Sequence, residues 1–199
     1  MASRTHPWRA LALAAASIAV GVASSTDEGR RADEEAFLRI NGDHSPERDA
    51  FFAGVTELGS IMASIGAAAV LAATGRQRTA VRALSAAGAT WLAGQGLKKV
   101  FMRPRPYDAL EDTRLMIGKP NGTSWPSSHP AVLLTFVTVV GRDLGLGRAS
   151  RGALSALASA VATSRSYLGV HYPSDTAGGL LLGRAVGLAW PIGDQEEED

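Results

Sequence analysis

Six apolar runs, at residues 8–25, 51–73, 80–97, 130–147, 153–165 and 176–192, punctuate this 199-residue chain. A water-soluble fold of that size has little polar surface with which to cover six such segments. At about 1.5 Å of rise per residue the longer runs approach the thickness of a bilayer core. The expectation is therefore all-α: one domain over 1–199, built as a six-transmembrane-helix bundle. The first run follows Arg4 and Arg9, and the small residues Ala23, Ser24 and Ser25 also resemble a signal-peptidase site. An uncleaved helix is favoured because further apolar runs follow. The second run is rich in glycine, alanine and serine, which let helices approach closely. The third is weak because alanine dominates it. The fourth is rich in β-branched residues that in water would suggest a buried strand, but its length and neighbours favour helix.

Between the first two runs, residues 26–48 mix Phe37, Leu38 and Ile40 with Glu34, Glu35 and Arg39, a pattern expected of a short amphipathic helix at a membrane surface. An even number of crossings puts both termini on one side, together with the joins 76–82 and 142–151. Each join carries three arginines, which predicts that this side is cytoplasmic. The run 194–199 is an acidic, solvated tail. A net charge of +1 with 6% aromatic residues argues against nucleic acid as a partner. The absence of cysteine removes disulfides and thiolate metal sites.

Polar chemistry gathers in three stretches on the side opposite those joins. In Ser164–Asp175, His171 and Asp175 stand four apart: a carboxylate that holds one imidazole N–H leaves the other nitrogen free to attack phosphorus. Arg165 supplies a planar fork suited to phosphoryl oxygens. Read alone, the stretch fits equally a surface histidine beside a helix-capping aspartate. In Lys98–Pro106, prolines hold Arg103 and Arg105 on a stiff path suited either to anion binding or to lipid headgroups. In Trp125–Pro130, Ser127 and Ser128 precede a helix whose first N–H groups are phosphate donors, and His129 is placed to protonate a leaving oxygen. A plain helix cap uses the same serine groups.

Taken together, Lys98 followed after six residues by Arg105-Pro106, then Pro126-Ser127-Ser128-His129, then Ser164-Arg165, His171 and Asp175, resemble the type 2 phosphatidic acid phosphatase and vanadium haloperoxidase superfamily in order and in both long spacings. The stretch Asn41–Pro46, Phe51-Phe52 and Leu58–Ser60 is similar to that family's approach to its second helix, with less specificity. The resemblance implies that Lys98, Arg105 and Arg165 bind phosphate oxygens, with Ser127 and the N–H of Ser128 completing the cradle. It implies that His171 becomes a phosphohistidine, that Asp175 orients it, and that His129 protonates the leaving group and then activates water. It also selects Lys98 over Lys99, a choice the residues alone leave open. Ser128 stands where the family usually has glycine; if that position needed a positive φ, serine would be strained.

The implied function is a membrane phosphatase that acts on a lipid phosphate or diphosphate, such as undecaprenyl or another polyprenyl diphosphate, phosphatidate or phosphatidylglycerol phosphate. Its site would be extracytoplasmic, and its partners the lipid substrate and membrane lipids. No cofactor or metal is required. Asp108, Glu111 and Asp112 read as a solvated loop rather than a magnesium site. The alternatives are a non-catalytic phospholipid-binding membrane protein, a vanadate-dependent haloperoxidase, and a soluble secreted phosphatase. Arg184, inside the sixth run, has no assigned role.

Overall fold

The computed structural model describes residues 7–191. The acidic tail at 194–199 lies outside them. Among the described residues all regular structure is helical: α1 (Pro7–Ala23), α2 (Asp27–Gly42), α3 (Pro46–Thr56), a 3-10 turn (Glu57–Gly59), α4 (Ile61–Ala73), α5 (Gln77–Phe101), the four-residue α6 (Pro106–Ala109), α7 (Ser128–Asp143), α8 (Arg148–Tyr167) and α9 (Pro173–Ala189).

Two of these connections are sharp corners. The first run ends at α1, and the chain turns by 93° into α2. Thr26 caps α2 by accepting from the N–H of Gly29 at 3.1 Å. A side chain at Gly29 would stand 2.0 Å from the Ala23 carbonyl oxygen, so the corner is open only to glycine. The second run, read from sequence as one apolar helix, bends by 64° between α3 with its 3-10 turn and α4. Ser60 causes the break by capping α4, its hydroxyl accepting from the N–H of Ala63 at 3.0 Å. No single described helix is long and apolar enough to cross a membrane; the length and composition of a span are reached only when the two helices of either bent pair are taken together. α5 is the longest, but Arg78, Arg82, Lys98 and Lys99 shorten its apolar part.

α7 is the hub. Of its residues 130–143 only Val140 is not fully buried, because α5, α8 and α9 pack around it and α4 touches one edge. Wrapping on all sides explains why its sequence lacks the alternation of a one-sided helix. α9 reaches α7 along Gly179, Gly183 and Gly187, spaced by four. A Cβ at Gly179 would stand 2.3 Å from the Ser127 carbonyl oxygen, and one at Gly183 would stand 2.3 Å from that of Ala131. α1 packs along the outer side of α9, where the Ser17 hydroxyl donates to the Gly178 carbonyl at 2.8 Å.

The chain direction follows. The end of α5, the start of α7, the end of α8 and the start of α9 meet at one end of the bundle, and α2 lies across that end with Asp33, Phe37 and Asn41 turned inward. This confirms the helix expected in 26–48. Outward faces of α1, α4 and α5 carry exposed Trp8, Leu11, Met62, Val70, Leu92 and Val100.

Gly183→Val is expected to lower stability by about 3 kcal/mol through forced separation of α7 and α9. Gly66→Ala in α4, where an added Cβ meets nothing within 4 Å, should be neutral or slightly stabilising. Thermal unfolding of both variants in one detergent measures the contrast.

Candidate active site

The turn from α8 to α9 sets the geometry. Gly169 adopts φ +85°, and any side chain there would collide with the Arg114 carbonyl oxygen at 2.4 Å. The reversal folds Val170 and His171 back onto the end of α8, where both N–H groups donate to the Arg165 carbonyl, at 3.1 and 3.2 Å. α9 then starts at Pro173, a residue suited to the first helical position. Asp175 accepts from the N–H of Tyr172 at 2.9 Å, so it caps the helix. The same Oδ2 lies 3.4 Å from Nδ1 of His171. Capping and pairing with the histidine therefore use one oxygen.

The other motif residues converge on this pair. Arg105 Nη1 donates to Nε2 of His171 at 3.2 Å and to the Val170 carbonyl at 3.0 Å. A guanidinium only donates, so Nε2 carries the lone pair and the ring proton sits on Nδ1, facing Asp175. Arg105 is itself held by the carbonyls of Gly122 at 2.8 Å and Asn121 at 3.2 Å. Lys98 is 7% exposed and donates to the carbonyls of Thr123 at 2.5 Å and Ser124 at 3.1 Å, whereas Lys99 is exposed. Burial thus makes the same choice between the lysines as the motif spacing. Arg165 is buried and donates through Nη1 to the Thr56 hydroxyl at 2.8 Å. His129, in the first turn of α7, packs close to Gly59 of the 3-10 turn. Burial pushes His171 well below the usual imidazole range, and the charges of Lys98, Arg105, Arg165 and His129 add to the effect. The ring is neutral near pH 7.

Several buried donors of the motif residues have no hydrogen-bond partner among the described residues. The hydroxyls of Ser127 and Ser128 and Nε of Arg165 are buried and make no hydrogen bond within the described structure. The first N–H groups of α7 also have no intrahelical acceptor. Convergent unpaired donors beside cations suit an anion with several oxygens. Ser128 begins α7 in helical conformation, and Met102 is the only described non-glycine residue with positive φ, so serine in the glycine position is unstrained. Room for its hydroxyl comes from Gly94 on α5, whose added Cβ would lie 3.5 Å from Oγ. Asp108, Glu111 and Asp112 lie exposed, and Asp108 stands near enough to Arg105 for its charge to be felt there.

Asp33 and Ser124 go unnoticed in the sequence, where Arg103 stands only as a cation suited to an anion or to lipid headgroups. Arg103 Nη1 donates to Asp175 Oδ1 at 2.9 Å and its Nη2 to Asp33 of α2 at 2.7 Å. Burial opposes its charge, but the two carboxylates outweigh that and raise its pKa. Asp33 also accepts from the N–H and hydroxyl of Ser174. Ser124 donates a short hydrogen bond to Asp175 Oδ2, and its Oγ lies 3.4 Å from Nδ1 of His171. Asp33 gave a weak signal, as an acidic residue four before Phe37 on the buried stripe of α2. Nothing in the sequence pairs it with Arg103.

The sequence model of the PAP2 superfamily matches residues 79–197, well over half of the chain and all three motifs. The chain belongs to the PAP2 superfamily. Among curated relatives, the decaprenylphosphoryl-5-phosphoribose phosphatase of Mycobacterium tuberculosis is 35% identical over 92 residues, 46% of this chain and 48% of that protein. The undecaprenyl-diphosphatase of Sulfolobus acidocaldarius is 32% identical over 90 residues, 45% and 43% of the respective chains. The chain thus matches these PAP2 relatives over about half of their length. The PAP2 fold extends further: the transmembrane phosphatidylglycerolphosphate phosphatase of Bacillus subtilis superposes with a TM-score of 0.76 over 90% of this chain and 92% of its own, at 21% identity. LpxE of Aquifex aeolicus gives 0.70 over 77% and 90%, at 29% identity.

Removing one partner from a buried ion pair leaves a desolvated charge, at a cost of about 3 kcal/mol or more. Arg103→Gln and Asp33→Asn should each destabilise this PAP2 protein by that order, and the double variant by clearly less than the sum. Chemical denaturation of the four species tests the coupling; strict additivity would show that Arg103 and Asp33 act independently.

Proposed function

We propose that this protein is a membrane-embedded phosphatase that hydrolyses a lipid phosphate or diphosphate through a phosphohistidine on His171. The observation that carries the reading is the orientation of His171: Nδ1–H toward Asp175, and the Nε2 lone pair toward Arg105 among the unpaired donors. An arriving phosphoryl group takes over the N–H of Arg105 and exposes Nε2. Lys98, Arg105, Arg165, Ser127 and the N–H of Ser128 hold its oxygens, each preorganised donor being worth about 3 kcal/mol to the transition state. Nε2 bonds to phosphorus as the bond to the leaving oxygen breaks; His129, whose pKa burial and the charges of Arg165, Arg105 and Lys98 lower to about 3 in the free protein, takes up a proton with the anionic substrate and gives it to that oxygen. Asp175 stabilises the imidazolium. Water then attacks phosphorus, His129 accepts its proton, the P–N bond breaks, and inorganic phosphate leaves with His171 neutral again.

A lipid substrate and a six-segment membrane bundle are supported by the exposed apolar faces of α1, α4 and α5, which in water would form an extensive apolar surface. The names of the relatives, which act on polyprenyl phosphates or diphosphates, point the same way. The arginine-bearing joins 76–82 and 142–151 lie at the opposite end of the helices from His171, which supports an extracytoplasmic site.

The test is phosphate release in detergent micelles, with chelator present, from a polyprenyl diphosphate, phosphatidate and a soluble phosphate ester. His171→Ala should retain its fold and lose at least about 10³-fold of the rate, and acid-quenched wild type should carry acid-labile phosphate on His171. Retained turnover in His171→Ala sinks the mechanism; phospholipid binding without turnover in the wild type would instead favour a binding protein. Because the folded-state pKa of His171 is depressed, its ring should stay neutral as pH falls through 6.5. Imidazole nitrogen shifts in the free protein, recorded from pH 8 to 5.5, check that sign.

A further inference from the structure

The opposite end of the bundle holds a second concentration of positive charge that catalysis does not use. Arg9 of α1, Arg142 of α7, Arg151 of α8 and Arg184 of α9 line a cavity of about 160 Å³, completed on its polar side by Thr138 and Ser155. Arg142 and His129 are thirteen residues apart on α7, so the cavity and the catalytic end are separated by about 20 Å. Among the described residues no carboxylate lines it.

Arg142 is the informative residue. It is 7% exposed, and its Nη1 donates to the carbonyls of Gly187 at 2.6 Å and Trp190 at 2.9 Å, where α9 ends. Its Nη2 is buried without a hydrogen-bond partner in the described structure. A buried guanidinium with an unpaired donor is costly. The acidic group that acts on Arg142 is Asp143, whose carboxylate is shared with Arg82 at 3.2 Å. Arg184 is half-buried and donates to the Thr138 hydroxyl at 3.2 Å, and the like charge of Arg151 acts on it. Arg151 uses Nε on the Leu146 carbonyl at 2.6 Å and stands at the mouth with Arg9. Four like charges around one space repel unless an anion joins them.

We propose that this cavity binds a phosphate group, gripped by Arg142, Arg151 and Arg184 with Arg9 at the rim. Planar forks converging from three helices fit phosphoryl oxygens better than a single carboxylate. The volume falls below the range of about 300 Å³ and above that accommodates a whole organic ligand, so only a compact anionic group enters. Two sources share this chemistry: inorganic phosphate, and the phosphate of an anionic lipid headgroup reaching between α8 and α9. In either case the anion would tie together α7, α8 and α9 at the end remote from His171.

Equilibrium dialysis of the full chain in phosphate-free detergent against labelled inorganic phosphate tests the site. Wild type should bind two phosphates. Arg151→Gln with Arg184→Gln should lose one, and Arg105→Gln with Arg165→Gln should lose the other. Arg184→Lys, which keeps the charge, should bind at the second site with affinity reduced no more than about tenfold. Native mass spectrometry of protein extracted from membranes separates the sources. Retained phosphatidylglycerol that is absent from the Arg151→Gln, Arg184→Gln variant identifies the lipid; phosphate binding without retained lipid identifies the free ion. The proposal is overturned if that variant binds as much phosphate and lipid as wild type. It is overturned equally if phosphate binds there only after residues 194–199 are deleted, since their carboxylates would then be the occupant. Loss of the first phosphate alone would count against the catalytic reading and leave this one standing.

Discussion

The approach of α9 to α7 along Gly179, Gly183 and Gly187 is the contact on which the active end depends. The carbonyl oxygens of Ser127 and Ala131 and the side chain of Thr138 occupy the volume that side chains at those glycines would fill. The same contact lets the N–H of Ser127 donate to the Asp175 carbonyl at 3.0 Å, which fixes the start of one helix against the start of the other. α8 then delivers Arg165, and the Gly169 turn returns His171 to it. Three helix ends meet because their backbones, not only their side chains, can touch.

Electrostatics at that end is an exercise in holding cations around one neutral imidazole. Lys98 and Arg105 are held mainly by backbone carbonyls rather than by carboxylates, and burial lowers the pKa of Lys98 to about 7, so an arriving anion strengthens its charge. The one central carboxylate, Asp175, is itself engaged by Ser124, Tyr172 N–H and Arg103. Arg103 in turn is balanced by Asp33 across α2. A negative ligand therefore meets a positive field, while the aspartate beside His171 stays compensated.

The two ends of the bundle use arginine differently. Near His171 Arg105 is anchored by loop carbonyls and lies against the imidazole, whereas at the other end Arg142, Arg151 and Arg184 line one cavity from three helices. Between these ends the helices present alanine, glycine and β-branched residues to each other and larger apolar residues outward. That distribution suits a molecule whose middle faces hydrocarbon and whose two ends meet charge.

Sequence alone carried the all-helical class and the order of the motifs, because these rest on local pattern and spacing: His171 and Asp175 stand four residues apart, and Ser127 and Ser128 immediately precede an apolar run. It also carried the helix in 26–48 through its amphipathic pattern. Tertiary structure decided the rest. The bend at Ser60 was hidden because serine is unremarkable within a small-residue run until its hydroxyl is seen capping α4. The motif spacing singled out Arg105 and left Arg103 without a partner, yet the fold turns Arg103 toward Asp33 and Asp175 and Arg105 toward His171, a choice set by which groups α2 and the α8–α9 turn bring within reach. Arg142 and Arg184 were separate charges in separate segments until α7 and α9 packed together. Local hydrogen bonding and hydrophobic period are written along the chain, whereas pairing between distant charges depends on the crossing of helices, which no short stretch of sequence encodes.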